Sequence, residues 1–252
     1  MMNSKQFARL ARNWLGAFVD PRRLLGIPNL ARYFADWYRY NRLAGAPVIQ
    51  WQESYPCLSD WVAHTPFDPH YFYQTHWAAQ KLACRVPNWH MDIGSSVTMI
   101  SVISAFVPTI FLDYRPLKSK VVGLWILAGD LLSLPFADNS VPSLSCLHVI
   151  EHIGLGRYGE PLDPWASAKA AQELERILAP GGQLLLSIPL GRERVQFNAH
   201  RVFAPETVLK LFADLTLVDF ALVDDQGVFH VHANPAQASN YEYACGMFEF
   251  VK

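Results

Sequence analysis

The chain has 252 residues, of which 51% are hydrophobic and 17% charged, and its formal net charge is −1. That length holds one large α/β domain with an appendage, and the charge balance offers no general basic field for nucleic acid. No apolar run approaches the roughly eighteen residues of a membrane-spanning helix. The opening MMNSKQFARLARNWLGAF has scattered Arg and no small-residue cleavage site, so it does not read as a secretory signal. Cys57, Cys84, Cys146 and Cys245 are widely spaced without a CxxC pair. They point to neither a disulfide framework nor a zinc ribbon, and a reducing cytoplasm is the expected setting.

Charge is unevenly placed. Residues 1–45 carry eight Lys and Arg against Asp20 and Asp36, a net of +6, together with Trp14, Phe18, Tyr33, Phe34, Trp37, Tyr38 and Tyr40. This segment reads as helical, broken at Asp20-Pro21 and Ile27-Pro28. It fits either peripheral contact with an anionic membrane surface or a helical appendage packed through its aromatics. Residues 46–70 are rich in Pro and aromatics and read as an ordered connector. The expected boundary places an N-terminal segment at 1–69 and a main domain at 70–252.

Residues 70–85 have helical spacing. From residue 88 short apolar runs alternate with helical segments. A first strand ends at Asp92, and Val97–Phe106 is a helix. Thr109–Leu112, Val121–Leu127 and Leu144–Val149 are the next strands. Asp163-Pro164 supplies a cap and first-turn Pro for a helix over Trp165–Leu178, which Gly181-Gly182 ends. Gln183–Ile188 is a fifth strand, Pro205–Phe212 a helix, Thr216–Val223 a sixth strand and Met247–Val251 a seventh.

Three of these segments end on Asp about twenty residues apart: MDIGSS at 91–96, FLDYRP at 111–116 and AGDLLSLPF at 128–136. Acids at the carboxyl ends of consecutive strands are how an open α/β sheet meets a nucleoside. A dinucleotide turn needs three glycines to approach a pyrophosphate. Only Gly94 is present, followed by Ser95 and Ser96, which favours a ligand without phosphates and argues against an NAD enzyme. S-adenosylmethionine is such a ligand. Asp92 is expected to face its ammonium group beside Gly94 and Ser95. Asp113 would accept both ribose hydroxyls, and Asp130 with the Leu131 N–H would meet the adenine. Singly, each Asp is equally a helix-capping loop carboxylate.

The segments HYFYQTHWAAQKL, HMDIGSS, SLSCLHVIEHIGLGRYGEPLDP, ELERILAPGGQLLLSIPLG, FNAHRVF and GMFEFVK together resemble the class I S-adenosylmethionine-dependent methyltransferase superfamily. More closely, they resemble a methyltransferase-like family carrying a domain of unknown function, whose relatives are often associated with bacterial surface-polysaccharide synthesis. The resemblance spans residues 70–252. It implies a Rossmann-like, seven-stranded, mostly parallel sheet with an antiparallel last strand, plus an N-terminal helical appendage. It also implies a bound methyl donor.

In that fold HVIEHIGLGRYG faces the transferring methyl group. His148, Glu151 and His152 are brought together by a turn or short helix, and His200 in FNAHRVF is able to reach the same cleft. Three roles compete. One His acts as general base toward a hydroxyl, or the group orients the loop through hydrogen bonds. In the third, His148, Glu151, His152 and His200 bind a divalent metal, an arrangement resembling the E-x-x-E-H sites of small-RNA terminal and ubiquinone-pathway methyltransferases. His148 stands where those families have Glu, which shifts preference from Mg toward Zn, Fe or Ni.

The loop GLGRYGEPLDP reads as substrate recognition. Arg157, Tyr158, Arg192, Arg194, Asn198 and Arg201 would receive an anionic or sugar substrate, although single Arg residues are usually solvated surface. Tyr71, Tyr73, Gln74 and Trp77 read as a lid over the methyl donor or, equally, as a core-packing helix. The function these features favour is O-methylation of a sugar, glycolipid or related small molecule, with no nucleic-acid partner. The alternative is a non-catalytic methyltransferase-like scaffold in a polysaccharide-synthesis assembly.

Overall fold

The structure is a computed structural model that describes residues 26–252. The helical structure expected over residues 1–25, with its break at Asp20-Pro21, lies outside them. The chain divides into two compact units between Pro66 and Phe67.

In the described part of the first unit, a 3-10 turn at Ile27–Asn29 places Pro28 in its first turn and leads into helix α1, Leu30–Tyr40. The break expected at Ile27-Pro28 is therefore a helix start, where a missing N–H costs nothing. No residue of α1 is buried. Its aromatics gather on Trp51, with ring centroids 5.9 Å from Phe34 and 5.2 Å from Trp37. Arg32 lies over the Trp61 ring at 3.9 Å, and Asn29 Nδ2 donates to Leu58 O at 2.7 Å. Among the described residues no helix is long and apolar enough to cross a membrane.

The second unit opens on helix α2, Pro69–Arg85. Asp68 caps it, its Oδ1 accepting from the His70 and Tyr71 N–H groups, with Pro69 in the first turn. Then follow β1 (His90–Ile93), α3 (Val97–Ile103), β2 (Thr109–Asp113), β3 (Leu124–Ala128), β4 (Val141–Leu147) and α4 (Ala166–Ile177). After them come β5 (Leu178–Leu190), β6 (Arg194–Gln196), β7 (His200–Val202), α5 (Pro205–Leu211), β8 (Thr216–Val223), β9 (Phe229–His230) and β10 (Ala244–Val251).

The main sheet runs β3-β2-β1-β4-β5-β10-β8-β9. β1 through β5 pair in parallel, and β10 is antiparallel to both β5 and β8. This is the Rossmann-like, mostly parallel sheet the sequence implied. Two-residue β9 adds an eighth strand on the edge of β8.

Burial follows the strand period of two. Leu184, Leu186, Ile188 and Phe248 face α4 and α5 through Ala170, Leu174 and Val208. Leu185, Leu147 and Met247 face the other way, onto Trp77, Leu82, Met99 and Ile100 of α2 and α3. Trp77 is thus core, as the packing alternative for that helix required.

Several boundaries differ from expectation. Asp163 does not cap α4. Its Oδ1 accepts the Trp165 N–H in a preceding turn, and the helix begins at Ala166. Gly181-Gly182 does not end α4 either. Leu178 is already extended, and the two glycines form an excursion inside β5, with Gly181 at φ 71°. Opposite it, β4 advances only from Val141 to Ser143 while β5 advances from Leu178 to Gln183. The excursion is held by the chain's last residue, through Gly181 N–H to Lys252 O at 2.8 Å and Lys252 N–H to Gly182 O at 3.2 Å. The β6–β7 hairpin carries no apolar run and was not expected.

The carboxyl end of β1 is fixed from beneath by a buried polar chain. Asp92 is wholly buried; Oδ1 accepts the Ser95 N–H at 3.0 Å and Oδ2 accepts from Ser145 Oγ. The Ser145 hydroxyl gives its proton to Asp92, so it accepts from His90 Nε2–H at 2.8 Å. His90 Nδ1 then accepts from Ser143 Oγ, also at 2.8 Å. Burial holds His90 neutral, with its pKa down at about 3. The expectation that Asp92 faces a ligand ammonium is corrected: one oxygen shapes the turn at Gly94, which sits at φ 64°, and the other holds Ser145 on β4.

Two outcomes follow. Leu186 is fully buried on a central strand, so Leu186→Ala costs about 2–5 kcal/mol, read as a lower urea midpoint with unchanged slope. Burial, partly offset by the Ser145 and Ser95 hydrogen bonds, raises the Asp92 pKa to about 6 from 3.8. Between those values the folded state keeps a proton that the unfolded state has lost, so the Asp92 contribution falls as pH rises through that window. Asp92→Asn keeps an acceptor for Ser95 and removes this dependence. From pH 4 to pH 7 the unfolding free energy of the parent falls by about 2 kcal/mol relative to the variant. A difference that stays flat with pH refutes the assignment.

Candidate functional site

Two contiguous cavities open at the carboxyl edge of the parallel strands, the position where open α/β sheets bind ligands. The first is a mostly apolar cleft of about 200 Å³, lined by Gly94, Leu112, Asp113, Asp130, Leu131 and Val149 among others. The second is a polar chamber of about 390 Å³, whose walls include His70, Tyr71, Ser95, Glu151, Arg157, His200 and Tyr243. Gly94, His148, His152 and Tyr158 line both.

In the cleft, each strand-terminal Asp uses one oxygen to hold its own turn. Asp113 Oδ1 accepts the Arg115 N–H at 2.6 Å, and Asp130 Oδ1 accepts the Leu132 N–H at 2.9 Å. A Cβ on Gly94 would lie 3.2 Å from Val149 Cγ1 and 3.7 Å from Asp113 Oδ2. The single glycine thus keeps open the space between its turn and the Asp113 carboxylate. Asp113, Asp130, Leu131 and Gly94 stand where the sequence placed them. Asp92 lines neither cavity, and Ser95 is turned to structure as well as to the chamber, its Oγ accepting the Leu147 N–H at 3.0 Å.

The chamber is built around the end of β4. His148 is in the left-handed region at φ 55°, with its N–H donating to Ser187 O at 2.9 Å. Its ring bridges Glu151 Oε1, 2.8 Å from Nδ1, and Cys245 Sγ, 3.3 Å from Nε2. Burial opposes charge on this ring, but Cys245 and Glu151 outweigh it and hold its pKa well above the ordinary value. Burial pushes the Glu151 carboxyl up, and His148 and His152 pull it below its usual range. Glu151 Oε2 and His200 Nε2 are buried without a hydrogen-bond partner in the protein.

His152 Nδ1 lies 2.7 Å from Ala199 O, which can only accept, and 3.1 Å from Arg157 Nη1, which can only donate; the shorter contact puts the proton on Nδ1 and the lone pair on Nε2. Arg157 Nη1 donates to the same carbonyl at 3.1 Å. Burial lowers the His152 pKa despite Glu151. Burial also takes His200 to about 4, helped by His152, and His70 to about 4, helped by His148. These three rings are neutral near pH 7.

The expected substrate residues separate. Arg157 and Tyr158 line the chamber, and the Tyr158 ring receives Arg115 at 4.0 Å and Arg157 at 5.1 Å. Arg201 is buried and turned to the backbone, donating to Ile153 O at 2.6 Å and Asp163 O at 3.3 Å. Its own N–H donates to Glu151 O at 2.9 Å. Arg201 is therefore a positioning residue for the loop after β4, a correction to its expected contact with substrate. Arg192 and Asn198 are exposed around the β6–β7 hairpin and line neither cavity.

Of the expected lid, Tyr71 lines the chamber, whereas Tyr73, Gln74 and Trp77 do not. Tyr73 stacks on Phe229 with centroids 4.9 Å apart, and Gln74 is buried with Oε1 accepting from Ser187 Oγ. Neither lines either cavity. His70 and Tyr71 do, and both stack on His148, at 5.9 and 5.6 Å. His70, Tyr243 and Cys245 were missed as site residues. The expected metal set of His148, Glu151, His152 and His200 is also not the one that converges. Among the described residues, the His, Cys and carboxylate group with donor atoms mutually within 4.8 Å is His70, His148 and Cys245.

A methyltransferase domain family matches residues 87–186. A family described as a Caenorhabditis protein of unknown function, DUF268, matches residues 139–242. No curated protein matches the chain. Among solved structures, the N-methyltransferase NodS from Bradyrhizobium japonicum, in complex with S-adenosyl-L-homocysteine, is 14% identical. It covers 87% of this chain and 97% of its own, with a TM-score of 0.51. A putative sarcosine dimethylglycine methyltransferase from Galdieria sulphuraria is 14% identical over 71% of this chain and 85% of its own, with a TM-score of 0.51. The YcgJ protein from Bacillus subtilis is 15% identical over 72% and 98%, with a TM-score of 0.50. At these identities the likeness is one of fold. Residues 87–186 thus match a methyltransferase domain family, and the chain has the Rossmann-like, mostly parallel α/β fold seen in these solved methyltransferases.

Proposed function

We propose that the protein is an S-adenosylmethionine-dependent methyltransferase acting on a hydroxyl of a sugar, glycolipid or related polar small molecule. The observation that carries this reading is the junction of an apolar, acid-ended cleft with a histidine-rich polar chamber at Gly94, His148, His152 and Tyr158. A nucleoside fits the first cavity and a polar acceptor the second.

The residues present suit the methyl donor. Gly94 leaves the approach to Asp113 open, and the Asp113 oxygen not used by Arg115 is the acceptor for ribose hydroxyls. Asp130 and the apolar side chains Leu131 and Val149 suit the adenine. Asp92 is engaged elsewhere. Asp68, which lines the chamber with Ser95 and Ser96, is the acid placed to face an ammonium group.

Bound there, S-adenosylmethionine supplies a methyl group on a sulfonium with a built-in leaving group. The work left to the protein is alignment and proton removal. His152 suits the base. Its Nδ1–H is anchored on Ala199 O, its Nε2 lone pair is free to take a proton, and Glu151 Oε1, 3.7 Å from Nε2, stabilises the charge that results. Arg157, Tyr71 and Tyr243 give the chamber donors for a hydroxyl-rich acceptor.

Titration calorimetry with S-adenosylmethionine and S-adenosylhomocysteine gives binding that Asp113→Ala weakens at least tenfold. Absence of binding at millimolar ligand removes this reading. With acceptor in hand, His152→Ala retains donor binding and loses about 10²–10⁴-fold in turnover. The base works unprotonated, so kcat falls as pH drops, with its acid limb below the ordinary imidazole value of 6.5. Turnover unchanged in His152→Ala assigns the base elsewhere.

A further inference from the structure

We infer that His70, His148 and Cys245 form a zinc site whose open position faces the polar chamber. The three donor atoms lie mutually within 4.8 Å, although they come from the start of α2, the end of β4 and the start of β10. His148 Nε2 and Cys245 Sγ are 3.3 Å apart. Zinc bonds of about 2.05 Å to nitrogen and 2.3 Å to sulfur at a tetrahedral angle place two donors ~3.5 Å apart, so this pair already has the required separation. His70 is half-buried at the first turn of its helix, and rotation of its side chain closes the set.

A second, independent observation is the far side of the His148 ring. Nδ1 is 2.8 Å from Glu151 Oε1 in a wholly buried contact. A carboxylate on one imidazole nitrogen fixes the tautomer and aims the other nitrogen's lone pair at a metal, the arrangement that accompanies most histidine-bound zinc. The left-handed backbone of His148 serves the same end, since it turns the ring between Glu151 and Cys245 at the strand terminus. Two imidazoles and a thiolate are borderline-to-soft donors, which select zinc over magnesium, calcium or manganese. Three protein ligands leave a fourth position for water or substrate, as catalytic rather than structural zinc sites do.

On binding, Cys245 Sγ and His148 Nε2 give up their protons to solvent, and the sulfur bonds the metal as a thiolate. His70 and His148 bind as neutral imidazoles. The fourth position opens on the chamber that His148 and His70 line with Arg157 and Tyr243. Its role, which rests on the methyl-transfer reading, is to hold the acceptor hydroxyl and ease release of its proton. Binding of the ion itself does not depend on that reading.

The test uses the full chain, stripped of metal and titrated with Co²⁺ as a spectroscopic probe, then with Zn²⁺ in competition. One equivalent of Co²⁺ produces thiolate-to-cobalt charge-transfer absorption and the intense visible bands of a tetrahedral site, and Zn²⁺ abolishes both. Cys245→Ser removes the charge-transfer band, His70→Ala weakens binding at least tenfold, and Glu151→Gln weakens it roughly 10–100-fold. His200→Ala leaves it unchanged. Circular dichroism of each variant confirms that it is folded. His70, half-buried at a helix end, gives the substitution least able to disturb folding. The inference is overturned if no charge-transfer band appears, or if the band persists in Cys245→Ser, which assigns it to exposed Cys57 or Cys84. It is equally overturned if folded His70→Ala binds like the parent. S-adenosylhomocysteine binding measured on the same samples separates failure of the metal site from failure of the methyl-donor cleft.

Discussion

The way β4 ends governs the site. At His148 the backbone leaves the sheet in a left-handed conformation while its N–H stays paired to Ser187 O on β5. The strand therefore remains anchored as the chain turns sharply. That turn sends the imidazole between Glu151 and Cys245, and it starts the helical twist that brings His152 to the same side. It also places Val149 against the turn at Gly94, so one bend shapes both the apolar cleft and the polar chamber. A β-branched or bulky residue is strained at positive φ; His tolerates it, and here the ring's two hydrogen bonds hold it.

The surroundings keep this bend in place. Beneath it, Ser143, His90, Ser145 and Asp92 form a continuous chain of hydrogen bonds under the neighbouring strand end. Above it, β7 runs past the loop, and Arg201 ties Glu151, Ile153 and Asp163 through their carbonyls. A buried guanidinium with several backbone acceptors makes a long glycine-containing loop definite without a hydrophobic core of its own. The charged groups nearest the chamber are thus fixed by polar contacts, whereas the sheet beneath is fixed by apolar burial.

Much of the fold was legible because parallel strands buried on both faces are written as short apolar runs, and TIFLD and QLLLSIP are such runs. Glycine punctuation was less reliable. Gly181-Gly182 looks like a helix end, yet the partner that makes it a strand excursion is Lys252, invisible to local reading. The hairpin around FNAHRVF has no apolar alternation, so nothing local announced β6 and β7. At the site, Asp113, Asp130 and Gly94 were legible from their position after strands. Asp92 was not, because the same position is served equally by a ligand acid and by a buried turn-former, and only Ser145 on the adjacent strand decides between them. In α2, aromatics occupy several faces, so sequence did not distinguish His70 and Tyr71 at the chamber from Tyr73 and Gln74 in the packing. Cys245 sits within an apolar strand and becomes notable only beside His148.

On the proposed reading, one bend joins a nucleoside cleft to a histidine chamber. A crystal structure of the full chain with S-adenosylhomocysteine is the decisive measurement. The ribose is expected on Asp113, the adenine beside Asp130 and Leu131, and the sulfur opening toward His148 and His152. A nucleoside bound elsewhere, or an empty cleft at saturating ligand, would contradict it.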